Sequence, residues 1–138
     1  MTKKYQITRA AENESLGILR DFIAEGCRES GIPDQTSFEL QLCADEACTN
    51  IIEHGYAGMN PGSIIFEMEI AEDAVTLFIT DFGYAFEPRP AQRPDLSGAL
   101  EGEPVRGFGL FFIYSIMDSV DYRTGELGNT LIMKKNLR

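Results

Sequence analysis

Glu46 and Asn50 lie four residues apart in a segment predicted to be helical, so both side chains project from one face of that helix. A carboxylate in such a place can take a proton from a hydroxyl group or orient a water molecule. An asparagine amide oxygen is a hard ligand that suits magnesium, an ion that keeps several waters and binds substrate phosphates. The alternative is a solvated helix face without a chemical role, and this pair alone does not exclude it.

Asp81 and Gly83 follow a predicted strand, at the point where a long loop begins. An aspartate there can accept a hydrogen bond from an exocyclic amine. Gly83 permits a close backbone approach or a positive φ. The alternative is an ordinary β-turn, in which aspartate and glycine are both common.

A second glycine pair lies in Arg106-Gly107-Phe108-Gly109-Leu110, directly before a predicted buried helix. Backbone N–H groups and the helix dipole at such a position favour an anion such as phosphate. The pair is not a dinucleotide-binding fingerprint, because it lacks the third glycine and a surrounding βαβ unit. It is also not a P-loop, because no Gly-Lys-Ser/Thr follows. The alternative is a glycine pair that only starts the helix.

Two helices that position these residues are predicted from apolar residues at intervals of three and four. The first covers Asn13–Glu29 and the second about Thr36–His54. Asp34 or Thr36 is predicted to cap the second helix, with Glu39 completing a capping box. A third helix, Gly109–Met117, is apolar nearly all round and is therefore predicted to be buried.

Five strands are predicted from alternation and turn signals. They are Tyr5–Thr8, Ser63–Ala71, Val75–Thr80, Ser119–Arg123 and Thr130–Lys134. Because these strands mostly follow one another as hairpins, the pattern predicts an α+β fold with helices on one face of a mixed, mostly antiparallel sheet. The chain of 138 residues is predicted to be one domain.

The segment 87–106 has no periodicity and contains four of the six prolines of the chain, Pro88, Pro90, Pro94 and Pro104. Structureless runs of this length in a small domain are usually functional covers or disordered segments. The sequence therefore predicts a lid over the site that the two glycine motifs flank.

Composition excludes several classes of function. The net charge of −10 disfavours binding to nucleic acid and to anionic membranes. The three cysteines, Cys27, Cys43 and Cys48, lack the spacing of a zinc site or a disulfide framework. A catalytic cysteine would have only His54 as a partner, so the thiols are interpreted as small core or near-surface residues. Free thiols and the lack of an apolar leader favour a cytoplasmic protein.

Taken in order, the three motifs resemble those of the GHKL ATPase superfamily. The segment Glu46–Asn50 is similar to its N box, Asp81-x-Gly83 to its G1 box and Gly107-x-Gly109 to its G2 box. Within the superfamily, the helix that runs on to Tyr56 most resembles that of bacterial anti-sigma factor serine/threonine kinases. The resemblance covers nearly the whole chain. Histidine kinases share the boxes, but this chain has no room for their phosphoacceptor helix.

This resemblance implies a Bergerat-type two-layer α/β sandwich that binds ATP and Mg²⁺. Asn50 would bind the magnesium ion, and Glu46 would act as general base toward the attacking serine hydroxyl. Asp81 would accept a hydrogen bond from the adenine amino group, with Gly83 beside it.

The remaining nucleotide contacts are also implied by the resemblance. The glycines of the G2 box would let the backbone wrap the phosphates, an arginine would contact a phosphate, and a threonine would lie by the adenine pocket. The residues concerned are Arg106, Gly107, Phe108, Gly109, Leu110 and Thr130.

Members of this branch form homodimers, hold a sigma factor inactive and phosphorylate a serine of a STAS-type anti-anti-sigma protein. The first hypothesis is therefore a serine kinase that also sequesters a sigma factor. The second is a nucleotide-gated binding protein without kinase activity, and the third is an acidic interaction domain that binds no nucleotide. Intact Glu46 favours the first, because a pure switch does not need a base there.

Overall fold

A computed structural model describes residues 2–85 and 113–137 of the chain. In these two ranges the main elements are five strands, two α-helices and one π-helical turn. In chain order they are β1 (Lys3–Ala10), α1 (Glu14–Glu29), α2 (Asp34–Asn50), the π-turn (Ile51–Gly55), β2 (Ser63–Ile70), β3 (Ala74–Asp81), β4 (Ser119–Gly125) and β5 (Gly128–Asn136). A helical turn over residues 113–116 precedes β4. Neither α-helix in the described ranges has the length and apolar character needed to cross a membrane.

The strands form one sheet in the order β1-β2-β3-β5-β4. All described strand pairs are antiparallel. The ends of the strands differ from the predicted ends by at most two residues. The predicted α+β class is confirmed.

The core lies between the sheet and the two helices. Alternate residues of β2 (Ile64, Phe66, Met68 and Ile70) are buried, as the alternation of the sequence predicts. The ring of Phe22 on α1 packs edge-on against Phe66, with 5.8 Å between ring centroids. All three cysteines are buried free thiols, so of the two predicted positions, core and near-surface, they occupy the core.

The predicted side-chain cap of the second helix is wrong. Helix α2 begins at Asp34 and not at Thr36, and no side chain caps it by a hydrogen bond. The reason is Pro33, whose φ of −58° and extended ψ of 147° place the helix start directly after it. Glu39 therefore lies inside the helix, where its carboxylate is 3.6 Å from the Nζ of Lys135.

Lys135 joins three parts of the fold. Its Nζ also donates a hydrogen bond of 2.9 Å to the carbonyl oxygen of Ile116, the last residue of the helical turn 113–116. A cation at the C-terminal end of a helix is favourable because the last carbonyls there lack partners. Strand β5 thereby fixes the position of this turn against α2.

The α-helical part of the second helix also ends earlier than predicted. It stops at Asn50, and the last predicted residues, up to His54, form with Gly55 a π-turn over Ile51–Gly55. Single π-turns within helices occur often at functional sites. This one brings the carbonyl oxygen of Gly55 within 2.6 Å of the backbone nitrogen of Tyr84, which donates to it. The end of the helix is thus attached to the loop that follows β3.

Candidate functional site

A cleft opens at one end of the core, between α2, the π-turn and the helix-facing side of the sheet. Aliphatic side chains form most of its walls, and a few polar groups project into it. The described residues that line it are Ala47, Asn50, Ile51, Gly55, Ile79, Asp81, Tyr84, Ile113, Tyr122 and Leu131. A mostly apolar cleft with a few polar groups is the usual form of a small-molecule binding site.

Two of the predicted site residues line this cleft. Asn50 is the last residue of α2, and Asp81 is the last residue of β3. Asp81 faces the core because the buried positions of β3, such as Leu77 and Ile79, alternate up to it. The folded chain therefore brings the N-box amide and the G1-box carboxylate to the same cleft, although they are distant in sequence.

The Asp81 carboxylate is held on one side. Its Oδ1 accepts hydrogen bonds from the backbone nitrogen of Gly83 at 2.9 Å and from the Nδ2 of Asn129 at 3.2 Å. Both Asp81 and Asn129 are buried. The side chain of Asp81 is thus fixed by its neighbours before any ligand binds, which reduces the entropy that a ligand must remove.

Gly83 lies against the carbonyl oxygen of Gly55, and a Cβ at position 83 would overlap that oxygen. The φ of Gly83 is not in the left-handed region. The glycine is therefore required by close backbone approach and not by backbone conformation. The contact joins the G1 turn to the π-turn and so sets the width of the cleft at this end.

Tyr56 also stabilises the contact between the G1 turn and the π-turn. Its hydroxyl donates to the carbonyl oxygen of Ser63 at 2.8 Å and accepts from the backbone nitrogen of Phe82 at 2.9 Å. The residue is buried. It therefore fixes the G1 turn to the start of β2, a role that motif spacing alone did not reveal.

Glu46 lies one helical turn before Asn50 and does not line the cleft itself. It is partly buried. Burial raises the pKa of its carboxyl above the ordinary value, and the nearby carboxylates of Asp45 and Glu53 raise it further. A carboxylate with a raised pKa is a stronger proton acceptor than an ordinary glutamate.

The described residues fit a magnesium ion only if substrate phosphates supply part of its coordination shell. They contain no group of three or more histidine, cysteine or acidic side chains placed to hold a metal ion. The amide of Asn50 offers one hard oxygen in the cleft. Magnesium commonly takes one or two protein ligands and completes its shell with water and substrate phosphates. This donor set fits that pattern.

The predicted placement of Thr130 by the pocket is wrong. Thr130 pairs with Thr80 across β3 and β5, and their hydroxyl oxygens are 2.9 Å apart. This pair lies on the face of the sheet away from the helices, because alternate residues of a strand point to opposite faces. Asn129 and Leu131 face the helix side instead. The run Leu131-Ile132-Met133 is apolar throughout, so the sequence of β5 alone did not show which of its residues face the helices.

The other predicted contacts lie outside the described residues. They are Arg106, Gly107, Phe108, Gly109 and Leu110, together with the predicted lid over 87–106. Of the helix predicted for Gly109–Met117, the part from residue 113 onward is described, and Ile113 lines the cleft.

Comparison with known proteins gives consistent matches. A family model for the histidine kinase-like ATPase domain matches residues 9–135. The serine-protein kinase RsbW of Bacillus cereus is 27% identical over 140 residues, which cover 99% of this chain and 86% of that protein. The serine/threonine-protein kinase BtrW of Bordetella bronchiseptica is 32% identical over 96 residues, 70% of this chain and 68% of that protein. The family match includes every described residue of the cleft.

Proposed function

Because the chain belongs to the family of histidine kinase-like ATPase domains, we propose that it is a single-domain, ATP-dependent serine/threonine protein kinase. The family predicted from the three motifs is confirmed. Relatives that are similar over most of the chain carry the names serine-protein kinase and serine/threonine-protein kinase. The nucleotide is bound in the cleft between α2 and the sheet.

One observation carries the proposal: Asn50 and Asp81 line the same cleft, and Glu46 lies one helical turn away. Asp81 presents a carboxylate that can accept from the adenine amino group. Asn50 presents an amide oxygen for magnesium on the phosphates. A hydrogen-bond acceptor for the base and an oxygen ligand for the metal in one cleft support ATP as the ligand.

Catalysis then rests mainly on positioning. Glu46 takes the proton of the substrate serine hydroxyl while the serine oxygen bonds to the γ-phosphorus of ATP. The bond from that phosphorus to the bridging oxygen breaks, and ADP leaves with the electron pair. Asn50 would hold magnesium together with the phosphates, and the ion would there neutralise phosphate charge. As the family resemblance implies, Gly107, Gly109 and the guanidinium of Arg106 would contact the phosphates.

The protein substrate is a STAS-type anti-anti-sigma protein, and the kinase also sequesters a sigma factor in the cytoplasm. Support for these partners is the resemblance to the anti-sigma branch. Three buried free thiols fit a reducing compartment.

A homodimer is part of the same proposal. The sheet face away from the helices has an apolar centre of Ile65, Phe78 and Ile132. Its charged residues balance, with three basic and three acidic side chains: Lys4, Arg123, Lys134, Glu67, Glu69 and Asp121. Two chains of net charge −10 can meet through such a neutral face without strong repulsion.

Asn50→Ala is expected to lower phosphoryl transfer at least about 100-fold, because it removes the only assigned protein ligand of the metal. Purified protein, Mg·ATP and a STAS-type protein from the same genome are mixed, and intact-mass spectrometry detects the phosphoryl group on that protein. Asn60→Ala, at an exposed loop asparagine, is the matched control and should keep the wild-type rate.

Transfer by Asn50→Ala at the wild-type rate would reject the role of Asn50. Absence of transfer by the wild type, with ATP binding retained, would favour the second hypothesis, a nucleotide-gated binding protein. If ATP and ADP also fail to raise the melting temperature, the chain is an interaction domain that does not bind nucleotide.

A further inference from the structure

Asn129 was given no role when the site was predicted, although it directly precedes Thr130, yet its amide is hydrogen-bonded through both its nitrogen and its oxygen beside Asp81. Its Nδ2 donates to the Oδ1 of Asp81 at 3.2 Å and to the carbonyl oxygen of Gly83 at 2.9 Å. Its Oδ1 accepts from the Oγ1 of Thr124 at 2.7 Å. The residue is only 4% exposed. Such a satisfied buried amide holds one conformation.

The hydrogen bonds also fix which way round the amide lies. A reversed amide would place its oxygen against the Asp81 carboxylate and the Gly83 carbonyl, which are both acceptors. It would also turn its NH₂ group toward the hydroxyl of Thr124, which now donates to the amide oxygen. The two acceptors at the G1 turn therefore fix the orientation of the amide, and the Thr124 hydroxyl holds its oxygen in place.

This arrangement makes the two oxygens of Asp81 different. In the described part of the chain, Oδ1 receives both donors, from Gly83 and Asn129. Asp81 lines the cleft, and no buried side-chain oxygen or nitrogen among the described residues lacks a partner. Since Oδ2 receives neither of these two hydrogen bonds, it is the oxygen that faces the open cleft. Oδ2 is therefore the oxygen available to a ligand, and its direction is set by the bonds to Oδ1.

We infer that Asn129 is a positioning residue that determines base specificity, acting through Asp81 and oriented by Thr124. The inference rests on the proposed binding of adenine at Asp81. A carboxylate oxygen is an acceptor only, so it pairs with the 6-amino group of adenine and not with the 6-oxo group of guanine. Holding Oδ1 in place keeps Oδ2 pointed at that amino group. Without Asn129 the carboxylate can rotate, and the preference for the amino group weakens.

The test compares ATP with purine riboside 5′-triphosphate, which has hydrogen in place of the 6-amino group. Dissociation constants of both nucleotides are measured with magnesium for the wild type, Asn129→Leu and Thr124→Val. We expect the wild type to bind ATP about tenfold more tightly than the analogue, as for a hydrogen bond to a charged acceptor. Asn129→Leu should bring the ratio of the two dissociation constants close to one, mostly by lowering the affinity for ATP. Thr124→Val should lower it less.

If Asn129 served folding alone, its variant would lose affinity for both nucleotides equally and the ratio of dissociation constants would not change. That result would overturn the inference. Thr124 is an exposed residue, so its valine variant keeps the test decisive if Asn129→Leu does not fold. An unchanged ratio in Thr124→Val, with Asn129→Leu unfolded, would also reject it. A wild type that binds neither nucleotide would reject the proposed ATP site itself, which is a distinct outcome.

Discussion

Glu46→Gln is expected to reduce phosphoryl transfer by about 10²- to 10⁴-fold, the usual contribution of a general base. Glutamine has the shape of glutamate but cannot take the proton of the serine hydroxyl. Burial and the carboxylates of Asp45 and Glu53 raise the pKa of Glu46, and this raised basicity is lost in the variant. Because Glu46 does not line the cleft, the affinity for Mg·ATP should stay close to that of the wild type.

Single-turnover transfer, followed by intact mass, gives the rate, and calorimetric titration gives the affinity. Glu72→Gln is the matched control, since it makes the same change at an exposed carboxylate in the turn between β2 and β3. It should keep most of the rate. If Glu46→Gln transfers phosphate as fast as the control, Glu46 is not the base.

Gly83→Ala is expected to weaken ATP binding at least about tenfold and to lower the free energy of unfolding by about 1–3 kcal/mol, a typical overpacking cost. The new methyl group would overlap the carbonyl oxygen of Gly55. To relieve the overlap, the G1 turn must move away from the π-turn. That movement lengthens the hydrogen bond from Tyr84 to Gly55 and turns Asp81, whose Oδ1 depends on the Gly83 N–H.

Gly125→Ala provides the comparison, because a Cβ there would meet no atom within 4 Å. Both the unfolding free energy in urea and the ATP dissociation constant are measured for the two variants. The control should match the wild type in both quantities. Wild-type ATP affinity in Gly83→Ala would show that the Gly55–Gly83 contact does not shape the nucleotide site.

Strand alternation and helix periodicity were sufficient to predict most of the fold. Alternation in β2 and β3 gave the buried side of the sheet, because every buried position there except Asp81 is occupied by an apolar residue. Ends of helices were predicted less well. Pro33 determines where α2 starts, and the π-turn that ends it depends on contacts with Tyr84, which are tertiary and have no local signal.

The parts of the candidate site that belong to short sequence motifs could be predicted from the sequence. Asn50 and Asp81 line one cleft, as two motifs read together imply. The supporting roles of Asn129 and Tyr56 were missed, because the type of a residue does not indicate which distant residues it hydrogen-bonds in the folded chain. Thr130 was misplaced by one residue. In a strand, a shift of one residue moves a side chain to the opposite face of the sheet.

The most direct test of the central claim is a crystal structure of the complex with magnesium and a non-hydrolysable ATP analogue. The account predicts that the 6-amino group of adenine lies about 3 Å from the Oδ2 of Asp81, within hydrogen-bond distance. It also predicts the magnesium ion on the Oδ1 of Asn50. A nucleotide bound outside the cleft, or a base whose amino group does not reach Asp81, would contradict the account.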